Sequence, residues 1–147
     1  MTDHSDIDIV IIGAGPAGLA TAIFAGRTRP GCRVVVFDGA RTPGAKILVS
    51  GGSRCNVTNS RVTERDFNGG RPGIIRKILR EFPASATVDF FRDLGVGLHE
   101  EPLGKLFPDS NRSRDVLEAV LRGVASAGAQ VLPSHRVHLV TRESDGL

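Results

Sequence analysis

The sequence predicts an α/β fold built on a parallel sheet, and three observations predict it. Ile7 to Ile12, Arg33 to Phe37 and Ala129 to Leu132 are short, β-branched, nearly continuous apolar runs. Runs of this kind read as strands buried on both faces, the usual situation in parallel sheets. A glycine-rich break, Gly13 to Gly18, separates the first run from Leu19 to Arg27, an Ala-rich helical stretch. Strand, helix and strand within about 30 residues make a βαβ unit, whose crossover is expected to be right-handed.

Beyond Phe37 the pattern changes. Gly39 to Asn59 is a 21-residue stretch rich in Gly, Ser, Thr and Asn, with one short apolar piece at Lys46 to Val49. It reads as a long binding loop with one helical turn, because loops of this length are uncommon unless they hold something. Gly73 to Phe82 and Ser85 to Leu94 read as helices separated by Pro83, with Ser85 as N-cap and Gly95 as stop. Leu98 to Phe107 reads as a hairpin turning at Pro102 to Lys105. Val116, Leu117, Val120, Leu121 and Val124 recur at helical spacing. Ser113 or Asn111 is the expected cap of that helix and Gly128 its end. Arg136 to Arg142 alternates apolar and polar residues, as the first strand of an antiparallel β-meander would, and Ser144 to Gly146 reads as the turn after it.

The glycine break spells Gly13-Ala14-Gly15-Pro16-Ala17-Gly18, a GxGxxG pattern. The pattern alone is weak in a chain with 18 glycines. Its context makes it specific: it leaves a strand, opens a helix, and is followed twenty positions after Gly18 by Asp38 at the end of the next strand. Gly13 permits the tight turn, Gly15 lets the backbone approach a diphosphate, and Gly18 allows helix and strand to pack closely. Pro16 suits the first helical turn, where a missing N–H costs nothing. The leading end of the helix offers unpaired N–H groups and a positive dipole to the phosphates. Asp38 is placed to accept hydrogen bonds from ribose hydroxyls and to repel a 2′-phosphate. The alternative is a glycine turn that binds nothing. These features predict a Rossmann-like FAD/NAD(P)-binding fold. The long polar loop in place of further short βα units favours FAD over NAD.

Composition excludes other classes. The chain has 147 residues, the length of one domain, and 40% hydrophobic residues, enough for a core. The net charge is +3, but the basic residues are scattered. With seven Phe and no Trp or Tyr, no nucleic-acid stripe or stacking platform is evident, and no nucleic-acid partner is expected. Cys32 and Cys55 form no CxxC pair, so neither a disulfide framework nor a metal site is predicted, and a cytoplasmic location is expected. His99, His135 and His138 lack metal-ligand spacing. Met1 to Asp8 carries three Asp and no Lys or Arg, unlike a signal peptide. Asp8 and the glycine break argue against a membrane span in Ile7 to Ala25.

The long loop reads Pro43-Gly44-Ala45-Lys46-Ile47-Leu48-Val49-Ser50-Gly51-Gly52-Ser53-Arg54-Cys55-Asn56-Val57-Thr58-Asn59. Phe107-Pro108-Asp109-Ser110 follows later, and then Asp115-Val116-Leu117-Glu118-Ala119-Val120-Leu121. Together with the glycine pattern, these segments resemble the BaiN/YhiN-like NAD(P)/FAD-dependent oxidoreductases, also described as aminoacetone oxidase family FAD-binding enzymes. The resemblance runs from about Ile9 to the last residue. Ser53 stands where that family usually has a third glycine, and a left-handed backbone there costs about 1 kcal/mol. Asn111-Arg112 replaces the family's basic-small pair.

The resemblance implies that Lys46, Ser50, Gly51, Gly52, Asn56, Thr58 and Asn59 line the FAD path toward the flavin, with Lys46 balancing diphosphate charge. Exposed surface residues are the alternative for Lys46 and Arg54. It also implies that Val137, on a strand after the third parallel one, meets the adenine through its backbone. Cys55 is expected to be a buried thiol rather than a redox centre. The implied activity of the intact protein is transfer of hydride or electrons between NAD(P)H, FAD and an organic small molecule. The implied family length is about 400 residues, so the chain reads as an N-terminal part that lacks a substrate domain and a later FAD-binding segment. No residue is placed as catalytic acid or base. Two other functions compete: a non-catalytic dinucleotide-binding module, and a flavoprotein acting on tRNA.

Overall fold

A computed structural model describes residues 7–142 of the chain. The turn expected at Ser144 to Gly146 lies outside them. The chain divides into two compact units, residues 1–46 with 120–147, and residues 47–119.

The first unit is built on three parallel strands: β1 (Ile9–Ile12), β2 (Val34–Phe37) and β6 (Gln130–Leu132). Their order is β1-β2-β6, with Ile9 opposite Val34 and Val36 opposite Val131. In terms of the parallel strands alone this is the 3-2-1 half of a dinucleotide-binding sheet. Central β2 is buried through Val34, Val35 and Val36, as its unbroken apolar run requires. Helix α1 (Pro16–Thr28) buries Leu19, Ala22, Ile23 and Gly26, an i, i+3, i+4, i+7 stripe. Leu19 and Ile23 are fully buried, each stabilising by about 2 kcal/mol. Gly26 is required because any Cβ there would overlap the Ala127 carbonyl.

Two expectations for this sheet are corrected. β1 is not buried on both faces: Val10 and Ile12 are 52% and 58% exposed. Gln130 of β6 is exposed too. Both strands are edges of a three-stranded sheet, so each has one neighbour where a central strand has two. Arg136 to Arg142 forms no strand among the described residues. Ser134 N–H donates to Ala40 O (2.9 Å) and His135 N–H to Asp38 O (2.7 Å), which draws the segment along the end of β2. Among the described residues no partner strand meets residues 136–142, and an alternating pattern alone makes no ladder.

In the second unit β3 (Thr58–Asn59), β4 (Leu98–Glu101) and β5 (Lys105–Pro108) form an antiparallel sheet of order β3-β5-β4. The expected hairpin is present, with Glu101 opposite Lys105 and a 3₁₀ turn over Pro102–Gly104. Helices α3 (Pro72–Glu81) and α4 (Ala84–Asp93) match their predicted spans. Ser85 is not the cap of α4 but lies inside it, since the preceding Pro83, already extended, occupies the cap position. Gly95 follows α4 at φ +82°, the left-handed stop expected of it. A 3₁₀ turn, Glu64–Asp66, was missed, although Thr63-x-x-Asp66 spells a capping box and both of its hydrogen bonds are made.

The short helical piece of the long loop is α2 (Ala45–Val49), and the amphipathic helix is α5 (Ser113–Ser126). Among the described residues no helix is long and apolar enough to cross a membrane.

Candidate functional site

Gly13 turns the chain out of β1 at φ +98°, and its N–H is held by Phe37 O (2.8 Å). Gly15 is the N-cap of α1, with no side-chain cap, and Pro16 takes the first helical position. Leu19 N–H closes onto Gly15 O (3.0 Å). The amides of Gly15, Ala17 and Gly18 therefore lie ahead of the helical ladder, facing the leading end. A Cβ on Gly15 would meet nothing within 4 Å, so open space lies beside the Gly15 backbone. Gly18 is the reverse case: its Cβ would overlap the Gly13 carbonyl oxygen and sit 3.3 Å from Ile11 Cγ2. Its lack of a side chain lets helix and strand close on each other.

Asp38, half-buried at the end of β2, reaches this junction. Its Oδ2 accepts from Ala14 N–H (2.5 Å) and its Oδ1 from Ala40 N–H (2.7 Å). Gly44 N–H donates to Ala14 O (2.7 Å) and fastens the start of the long loop to the same turn. Ile12, Gly13, Asp38, Gly39, Arg136 and Val137 line a cleft of about 330 Å³. Val137 thus stands beside the carboxylate, though on an irregular segment rather than a strand. His135 lies beside Phe37, with ring centroids 6.2 Å apart and planes tilted by 51°. Lys46 is exposed on α2.

The second unit holds the other constellation. Ser50-Gly51-Gly52-Ser53 is a succession of tight turns, with φ of +55° at Gly51, +65° at Gly52, +67° at Ser53 and +65° at Cys55. Ser53 adopts the left-handed backbone despite its side chain, and Ser113 N–H donates to its carbonyl (3.1 Å). Ser113 is the first residue of α5 rather than its cap, for its hydroxyl donates to Leu48 O (3.0 Å). Asn111 is not a cap either, since its Oδ1 accepts from Arg54 (3.2 Å).

Most polar side chains of this segment are committed within the unit. Ser50 Oγ donates to Ile47 O (2.8 Å). With its amide nitrogen turned toward the carbonyls, Asn56 donates to Thr58 O (2.9 Å) and Leu106 O (3.2 Å). Asn59 donates to Leu103 O (2.8 Å), and Thr58 pairs with Leu106 in the sheet. Arg54 is no solvated loop cation. It grips both carboxylate oxygens of Glu101 (2.5 and 3.2 Å) and lies over the Phe107 ring at 4.1 Å. The Arg54 guanidinium holds the Glu101 carboxyl below its ordinary value. His99 sits between Glu101 and Asp109, 3.5 Å from each. Cys55 is buried, and burial pushes its thiol up, away from the reactive thiolate. Among the described residues no group of three His, Cys, Asp or Glu side chains could hold a metal ion.

Residues 7–147 match the family described as HI0933-like protein Rossmann domain. A 3-dehydro-bile acid delta(4,6)-reductase of Clostridium scindens is 29% identical over 138 residues, 94% of this chain and 34% of that protein. The chain therefore spans about a third of that relative's length. Among solved structures, Thermovibrio ammonificans THI4 superposes with a TM-score of 0.56 at 20% identity, covering 88% of this chain and 39% of that one, a likeness of fold.

Proposed function

The chain belongs to the HI0933-like Rossmann-domain family, and from that premise we propose that it is the FAD-binding portion of a flavin-dependent oxidoreductase acting on an organic small molecule. The observation that carries the reading is Asp38 hydrogen-bonded into the β1–α1 turn, which sets a carboxylate beside the amide-lined leading end of α1. A diphosphate suits those amides and a ribose suits the carboxylate, so the residues present fit the ADP half of the cofactor. The bound flavin supplies the redox chemistry between NAD(P)H and the substrate.

The chain's own residues do the rest. The amides of Gly15, Ala17 and Gly18 bind phosphate oxygens, and Asp38 orients the sugar. In the second unit the side chains of Ser50, Asn56 and Asn59 already donate to the carbonyls of Ile47, of Leu106 and Thr58, and of Leu103, so cofactor contact there falls first to backbone groups of Gly51 to Ser53. Taken by itself, the 147-residue chain, which spans about a third of its relative's length, is expected to bind FAD more weakly than micromolar. A non-catalytic dinucleotide-binding module is the competing reading, and it shares the same nucleotide site.

The test is equilibrium dialysis of FAD against the wild-type chain and Asp38→Asn. The substitution keeps the side chain's size but leaves one of the Ala14 and Ala40 amides without its acceptor, so unfolding of both proteins is followed alongside. Losing charge-assisted hydrogen bonds of about 1.5–3 kcal/mol raises Kd roughly 10- to 100-fold. Equal affinity in the two proteins would contradict the assignment.

A further inference from the structure

Resting on the dinucleotide reading above, we propose that Arg136 is an adenine-binding residue whose planar guanidinium stacks on the base of the nucleotide held by Asp38. Arg136 follows directly on the two residues, Ser134 and His135, whose amides are tied to Ala40 O and Asp38 O. Those bonds fix its backbone beside the end of β2. Its side chain lies across Gly39: a Cβ built on Gly39 would come within 3.2 Å of Arg136 Nε and 3.3 Å of Cζ. The guanidinium thus lies directly against Gly39, immediately after the ribose-binding carboxylate in the chain.

Arg136 and Gly39 line the same cleft as Gly13, Asp38 and Val137. At about 330 Å³ it stands near the lower end of ligand-site volumes, roughly 300–1,000 Å³, and suits a nucleoside rather than a whole dinucleotide. Its walls also decide the chemistry. Phe37 and Val137 are apolar and fit the faces or edges of a flat ring. Asp38 is an anion in the same cleft and disfavours a phosphate there. Among the described residues no carboxylate lies within ion-pair distance of Arg136, so its donors and its flat face are not spent on a salt bridge. Guanidinium planes stack on bases in this manner, and a lysine, which has no plane, does not reproduce the contact.

The experiment titrates the wild-type chain, Arg136→Ala, Arg136→Lys and Asp38→Asn with ADP, inorganic pyrophosphate and adenosine 2′,5′-bisphosphate by calorimetry. The proposal expects Arg136→Ala to raise the Kd for ADP about tenfold while leaving pyrophosphate binding unchanged. Arg136→Lys should lose nearly as much, since charge without the plane is insufficient. Equal losses for ADP and pyrophosphate, or full rescue by Lys, would overturn stacking in favour of simple charge attraction. A loss confined to adenosine 2′,5′-bisphosphate would overturn it in favour of phosphate reading. If Asp38→Asn weakens ADP and Arg136→Ala does not, this inference fails while the dinucleotide site stands. If ADP does not bind the wild-type chain, the site reading itself falls, and this inference with it.

Discussion

Gly18→Ala is expected to destabilise the first unit by about 3 kcal/mol or more, read by urea unfolding of the apo chain. The added methyl would overlap the Gly13 carbonyl, a backbone atom that cannot swing aside as a flexible side chain does. Relief requires lifting α1 off β1, which uncovers Leu19 and Ile23. Gly15→Ala is the internal control. Gly15 has φ −76° and nothing within 4 Å of its Cβ position, so its alanine variant stays within about 1 kcal/mol of wild type. That methyl stands in the open space beside the Gly15 backbone, so Gly15→Ala weakens FAD while the fold persists. A Gly18→Ala chain as stable as wild type would show that the close approach is not required.

Gly51→Ala is expected to cost the second unit about 2–4 kcal/mol, combining left-handed backbone strain with overpacking. Its Cβ would sit 2.5 Å from Asn56 N and 2.9 Å from Phe107 Cε1, at φ +55°. The neighbouring Gly52 has φ +65° but open space around it, so Gly52→Ala pays only the backbone strain, about 1 kcal/mol. The difference between the two variants isolates the packing part. Equal unfolding midpoints for Gly51→Ala and Gly52→Ala would remove the packing explanation and leave strain alone.

The parallel sheet was legible because burial and β-branching coincide in β2, and the strand-to-helix turn because its glycines answer different demands. Gly13 needs a positive φ, Gly15 an open approach and Gly18 a contact closer than any Cβ allows. Asp38 was legible by position, since it ends the strand paired with β1. The exposed faces of β1 and β6 were not. A run such as Ile9–Ile12 carries no mark of whether its sheet continues beyond it, and burial on the second face depends on neighbours outside the segment. The alternation at Arg136 to Arg142 misled for the same reason: a strand exists only with a partner.

The second constellation was legible in its glycines, whereas the structural task of its polar side chains was not. Ser, Asn and Arg in a glycine-rich loop suit a ligand and suit the loop's own carbonyls equally well. Only the position of Leu106, Glu101 and Phe107 on the hairpin reveals that Asn56 and Arg54 are holding the loop. Ser53, which stands where the family usually has a third glycine, takes φ +67°. Its carbonyl bond to Ser113 N–H offsets part of that strain.

The most direct test is an assigned amide ¹⁵N–¹H spectrum of the chain, followed as ADP is added. Hydrogen bonds from phosphate oxygens to the leading end of α1 should move the Gly15, Ala17 and Gly18 resonances first and furthest. Ala14 and Ala40 should follow, as Asp38 turns toward the sugar. Shifts that leave residues 13–18 in place while ADP binds elsewhere would contradict the account.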